Sequence, residues 1–246
     1  MGWHLMVSLL VVIGCAALVY GVWYPQPFER IVGVTRVVLL LAVVDAVCGP
    51  LLTLVLYDPQ KAKWKWAIDM VLIASVQLSA LAYGMGLIHG NRPVFLALEG
   101  DRFRLIQQDH LPETAVVQKD GPFALDWSAP RPIGVRMLGP KDPGYLDSIQ
   151  QAAAGVHPAY RPERWVPYPD QIGVVRKAMR PADELRSRGA PKALKEFDAI
   201  LRGAGLTEAE VGYLPLVSDF PTEWSVILSK SDGHILGVVA ISGWPS

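Results

Sequence analysis

The chain has 246 residues, 51% hydrophobic and 19% charged, with 23 basic and 23 acidic side chains and a formal net charge of zero. This balance lacks the basic footprint of a nucleic-acid-binding protein, and two cysteines, Cys15 and Cys48, are too few for a disulfide framework. The charge is unevenly spread, since residues 1–89 hold only Arg30, Arg36, Lys61, Lys63 and Lys65 against Glu29, Asp45, Asp58 and Asp69.

Three apolar runs follow one another in this first part, over residues 3–23, 31–57 and 66–88. Each exceeds the ~20 residues that a helix needs to cross ~30 Å of hydrocarbon. The spacing predicts three transmembrane helices joined by short connectors. Pro25 and Pro27 stop the first helix. Trp23, Tyr24 and Phe28 at the first connector, and Tyr57, Trp64 and Trp66 at the second, are expected in the headgroup layer. Lys61, Lys63 and Lys65 place the second connector in the cytoplasm by the positive-inside rule. The N-terminus of this multi-pass arrangement is then cytoplasmic, and residues 90–246 lie on the far side. No Lys or Arg precedes the first run, and its apolar character continues past Cys15, so an uncleaved helix is expected and not a signal peptide.

Asp45 falls near the midpoint of the second run. An ionised carboxylate there costs several kcal/mol on most scales, so it is expected to face the bundle and a partner. Gln77 falls at a similar depth in the third run, and an Asp45–Gln77 hydrogen bond satisfies both. Gly49 shares the face of Asp45 and admits a close neighbouring helix. Pro50 removes an N–H from the ladder, which predicts a kink. Asp45, Gly49, Pro50 and Gln77 are the candidate binding residues for a partner helix. Their other use is as an internal hydrogen-bonding staple.

After Gly90 the pattern changes. Short β-prone runs at 94–98 and 102–106 flank Glu99-Gly100-Asp101, a hairpin signal. Residues 107–131 read as loop, 132–138 as a strand, and Asp142-Pro143 as the start of a helix to 154. Residues 157–169 form a proline-rich aromatic loop around Tyr160, Trp165 and Tyr168, more suited to core than to a binding surface. Helical patterns follow at 170–179, 181–188 and 191–202, the last closed by Gly203 and Gly205. Strands at 213–217, 224–229 and 235–241 complete the chain. The expected fold is an α-helical membrane bundle of three transmembrane helices (1–89) followed by an extracytoplasmic α+β soluble domain with an antiparallel sheet (90–246).

Catalytic signatures are missing from the sequence. It has no Gly-x-Ser-x-Gly, phosphate-binding loop, His-Glu-x-x-His or Cys-x-x-Cys. His89, His110, His157 and His234 stand apart without metal-ligand spacing, and Asp109-His110 lacks a nucleophile nearby. No enzyme activity, metal or cofactor is expected.

Several stretches together carry a family resemblance. They are Val22-Trp23-Tyr24-Pro25, Gly33-Val34-Thr35, the run from Val44 to Leu54 with Asp45, Gly49 and Pro50, then Tyr57-Asp58-Pro59-Gln60-Lys61, the run from Gln77 to Gly84, and Arg92-Pro93-Val94-Phe95. In combination the chain resembles the TfpX/TfpZ family of type IV pilin accessory proteins. The resemblance implies a bacterial inner-membrane protein with a periplasmic C-terminal domain and a type IV pilin as client, whose level, stability or assembly into pili it modulates. The alternative reading is a membrane-anchored sensor or small-ligand-binding module.

Overall fold

The computed structural model describes residues 2–56, 62–113, 121–125, 127, 130–221 and 223–244. The chain divides into two compact units, Met1–Arg92 and Pro93–Ser246.

The first unit is helical. Helix α1 (Gly2–Leu18) ends in a wider π turn, Val19–Trp23, and a short α2 (Phe28–Val32) leads into α3 (Thr35–Leu56) and α4 (Lys63–Gly90). Helices α1 and α4 both pack against α3. At Gly84 of α4 a Cβ would lie 2.4 Å from Leu41 Cδ2, so any larger residue there must displace the Leu41 side chain of α3.

The expected three-helix transmembrane bundle is corrected here. Among the described residues one helix, Trp64–Gly90 with 27 residues, is long and apolar enough to cross a membrane. The other apolar helical stretches, Leu9–Trp23 and Thr35–Val44, fall within 10–17 residues. A continuous apolar run in sequence is not a continuous apolar helix. The first run loosens into a π turn at Val19. The described helices thus give one candidate span, and the multi-pass arrangement rests on the sequence runs alone.

Trp23 and Tyr24 are buried, while Trp64 and Trp66 are exposed, and Tyr57 lies outside the described residues.

The second unit is α+β, built on one eight-stranded sheet. Its strands are β1 (Pro93–Glu99), β2 (Arg102–Gln107), β3 (Arg131–Val135), β4 (Trp165–Pro167), β5 (Arg180–Pro181), β6 (Val211–Val217), β7 (Trp224–Ser229) and β8 (Ile235–Val239). The order is β4-β3-β1-β2-β6-β7-β8, with β5 also paired to β6. Strands β1 and β2 form the predicted hairpin, and Gly100 in its turn takes φ +69°, which an L side chain rarely adopts.

The antiparallel expectation is corrected to a mixed sheet, because β1 pairs β3 and β2 pairs β6 in parallel. Both parallel pairs join strands separated by a long stretch of chain, the only kind of connection that allows them. Every residue of β1 and β7 is buried, so these strands show continuous apolar character and not alternation.

Among the described residues four α-helices of more than one turn lie between the strands: α5 (Tyr145–Ala153), α6 (Ile172–Ala178), α7 (Asp183–Arg188) and α8 (Pro191–Ala204). Helix α5 starts later than its sequence signal. Asp142 Oδ2 accepts from Gly139 N–H at 2.7 Å and closes a turn, and the helix begins after Gly144. Helix α8 lays Ala193, Phe197 and Leu201, four residues apart on one face, against Val211, Tyr213, Ile227 and Val239 of the sheet. Full burial of Phe197 alone contributes about 2–3 kcal/mol. A second core gathers Phe95, Ile106, Ile133, Val135 and Trp165. It resolves the aromatic loop in favour of core. The Trp165 ring meets Phe95 edge-on at 4.8 Å, and its Nε1–H donates to the Ala159 carbonyl at 2.9 Å.

Candidate functional site

The candidate partner-helix residues lie on two helices of the first unit. Asp45 stands at the midpoint of α3 and Gly49 and Pro50 in its C-terminal half, and the helix runs through Pro50 without ending there. Their side chains lie outside the described residues, and so does the anticipated Asp45–Gln77 hydrogen bond. Gln77 is half-buried at the middle of α4. Between α1, α3 and α4 the described side chains leave a small apolar cavity of about 20 Å³, lined in part by Cys15, Leu41 and Met85.

Sequence reasoning missed a polar knot at the end of α4. The buried Tyr24 hydroxyl donates to the Ile88 carbonyl at 2.8 Å. Trp23 meets the His89 ring edge-on at 4.9 Å, and Arg92 Nη1 donates to the His89 carbonyl at 3.0 Å. The first connector is thereby tied to the last turn of α4. The signal lay in the Trp23-Tyr24 pair, whose amphipathic rings suit a buried polar cap as well as a headgroup layer.

In the second unit the structure gathers titratable groups that are far apart in sequence. His110 Nε2 lies 2.7 Å from Asp219 Oδ2. His110 Nδ1 accepts from the Gln107 backbone N–H at 3.2 Å, which puts the ring proton on Nε2, donated to Asp219. The Tyr160 ring lies 4.5 Å from His110 and 5.5 Å from His157. Beside it, Arg104 Nε donates to Glu99 Oε2 at 2.7 Å, both side chains being buried.

Burial, reinforced by Arg104, holds the His157 imidazole below its ordinary pKa. Burial, reinforced by Asp219, raises the Tyr160 phenol. A general base must offer a free lone pair to the proton it removes. His110 offers none, because both ring nitrogens are engaged. Among the described residues no group of three His, Cys, Asp or Glu could hold a metal ion.

Residues 1–33 match the family model of the fimbrial assembly protein FimB. The chain is 33% identical over 241 residues to a fimbrial assembly protein of serogroup E1 from Dichelobacter nodosus, covering 94% of this chain and 90% of that relative. It is also 33% identical over 239 residues to the serogroup I protein of the same organism, again covering 94% and 90%. A shorter relative, from serogroups C1 and C2, is 40% identical over 117 residues, covering 46% of this chain and 89% of the relative. No solved structure matches the chain. Two relatives at this identity, aligned along nearly their whole length, place the chain in the fimbrial assembly protein FimB family.

Proposed function

We propose that this chain is a non-enzymatic accessory of type IV fimbria assembly, held in the bacterial inner membrane and acting on pilin. The observation that carries this reading is the near-full-length similarity to proteins named for fimbrial assembly. Helix Trp64–Gly90 supports membrane attachment. Lys61, Lys63 and Lys65 at its start support a cytoplasmic N-terminal side and a periplasmic second unit. The resemblance to pilin accessory proteins supplies the client, a protein with one N-terminal transmembrane helix. Asp45, Gly49, Pro50 and Gln77 are the residues proposed to meet that helix, the carboxylate and amide by hydrogen bonding and the glycine by close approach.

Deletion of the gene tests the larger claim, with piliation by electron microscopy and pilin level by immunoblot as readouts. Loss of pili or of pilin is expected, and unchanged pili at unchanged pilin level would refute it. Co-purification of pilin with wild type and with Asp45→Leu tests the contact. Recovery is expected to drop, and undiminished recovery removes Asp45 from the interface.

A further inference from the structure

The C-terminal end of α8 and the β7–β8 hairpin bound an open groove of about 550 Å³. Ile200, Leu206, Ile235 and Leu236 line its apolar side, and Ser231, Asp232 and His234 line its polar end. Its form, hydrogen-bonding capacity and charge together define an occupant.

The groove runs beside an open edge. Strand β8 ends the sheet, and no described strand pairs with its outer side. Val238 and Val239 are buried, but residues 235–237 are only half-buried, and they adjoin the groove. In an edge strand alternate N–H and C=O groups point away from the ladder and remain available to an extended chain. The sequence Ile235-Leu236-Gly237-Val238-Val239 carries none of the Lys or Pro residues that blunt such edges. Opposite Ile227 and Leu228 stand Gly237 and Ile235, leaving Leu236 as the extra residue of a bulge. A bulge re-aims a side chain, and Leu236 lines the groove.

The polar end is negative. Asp232 is exposed, and hydrogen bonds from the Ser229 side chain and the His234 backbone N–H hold its carboxyl below the ordinary range. Gly203 and Ala204 bring the C-terminus of α8 to the same groove, where the helix dipole adds partial negative charge. Lys230, next to the hairpin turn, is bonded to the Ala209 carbonyl at 2.7 Å. A groove open along one side does not enclose most of a small molecule, as a ligand pocket does. It suits a chain laid along it.

We propose that this groove takes an extended peptide segment of a partner protein, with its main chain along residues 235–237, an apolar side chain between Ile200 and Leu236, and a Lys or Arg side chain at Asp232 and the end of α8. This goes beyond the fimbrial reading and stands or falls separately from it.

The test uses the full chain in a zwitterionic detergent at pH 8. The probes are fluorescent Val-Lys-Val-Lys-Val, its Val-Glu-Val-Glu-Val counterpart, and the basic peptide N-methylated on alternate residues. Anisotropy is expected to show the basic peptide binding about fivefold more tightly than the acidic one, the size of a solvent-exposed charge pair. Asp232→Asn should erase that preference, Leu236→Ser should weaken the basic peptide, and N-methylation should abolish binding. Near-UV circular dichroism confirms that each variant is folded.

Equal affinity for both peptides would overturn the proposal. So would indifference to Leu236→Ser in a folded variant, or no binding at millimolar peptide. A photoreactive version of the basic peptide should label the β7–β8 hairpin or the end of α8, and labelling elsewhere would also overturn it.

Discussion

Glu99 and Arg104 form an ion pair inside the second unit, and replacing one partner should cost far more than replacing both. The pair closes at 2.7 Å, with side chains only 7% and 8% exposed. Glu99 Oε1 also accepts from the Ala159 N–H at 3.4 Å, and the Arg104 guanidinium sits 5.7 Å from the Tyr160 ring centroid. At an effective dielectric of ~20 the attraction is on the order of 6 kcal/mol, largely offset by desolvation of both ions. Glu99→Gln keeps the shape but strands the guanidinium, at a cost of about 3–5 kcal/mol. For a unit of this size that lowers the melting temperature by roughly 6–20 °C.

The double variant Glu99→Leu/Arg104→Met removes both desolvation costs, leaves the Ala159 N–H without its acceptor and the Tyr160 hydroxyl without Arg104, and should lie about 2 kcal/mol below wild type. Melting of the full chain in detergent, followed by near-UV circular dichroism, separates the cases. If the single and double variants melt together, the pair is not a buried coupled unit and this reasoning fails.

Three further outcomes are expected. Phe197→Ala, at a fully buried site between α8 and the sheet, should cost about 3–5 kcal/mol in the same melting assay. The Tyr168 hydroxyl donates to the Gly233 carbonyl at 2.7 Å, and burial, reinforced by Asp232, raises its pKa well above that of a free phenol. The native state therefore holds this proton where the unfolded chain releases it. Its stabilisation is complete below pH ~10 and is lost as pH rises further, so Tyr168→Phe should flatten the alkaline melting curve. Gly84→Val should force Leu41 from its place and lower the aggregation temperature of the purified protein in detergent, and Leu41→Ala should restore part of the loss.

The sequence was legible where local chemistry decided the structure. The β1–β2 turn at Gly100, the strand 224–229 and helix α8 closed by Gly205 follow from residues within a few positions of each other. Strand β4, at Trp165–Pro167, was hidden because its three residues sit among prolines that read as loop. The membrane part was over-read, because apolar composition measures hydrophobicity and not helix continuity, and Val19–Trp23 departs from α geometry without any composition signal. Of the candidate site, the positions of Asp45, Gly49, Pro50 and Gln77 on helices were legible. The knot of Tyr24 with the Ile88 carbonyl was not, because its partners stand 64 residues apart.

The same limit explains His110 and Asp219, and here the parallel pairing supplies the missing step. Strands β2 and β6 run side by side in one direction, with Phe103 opposite Leu216 and Arg104 opposite Val217. Their C-terminal ends therefore reach the same end of the sheet, and the residues just beyond each end are brought together. His110 closes the 3₁₀ turn after β2, and Asp219 lies two residues beyond the end of β6. An antiparallel partner for β2 would have carried its following loop to the opposite end. The hydrogen bond between them follows from topology, and it locks two loop entrances whose strands are already neighbours. A histidine held on one side by the amide of Gln107 and on the other by a carboxylate is suited to fixing those loops.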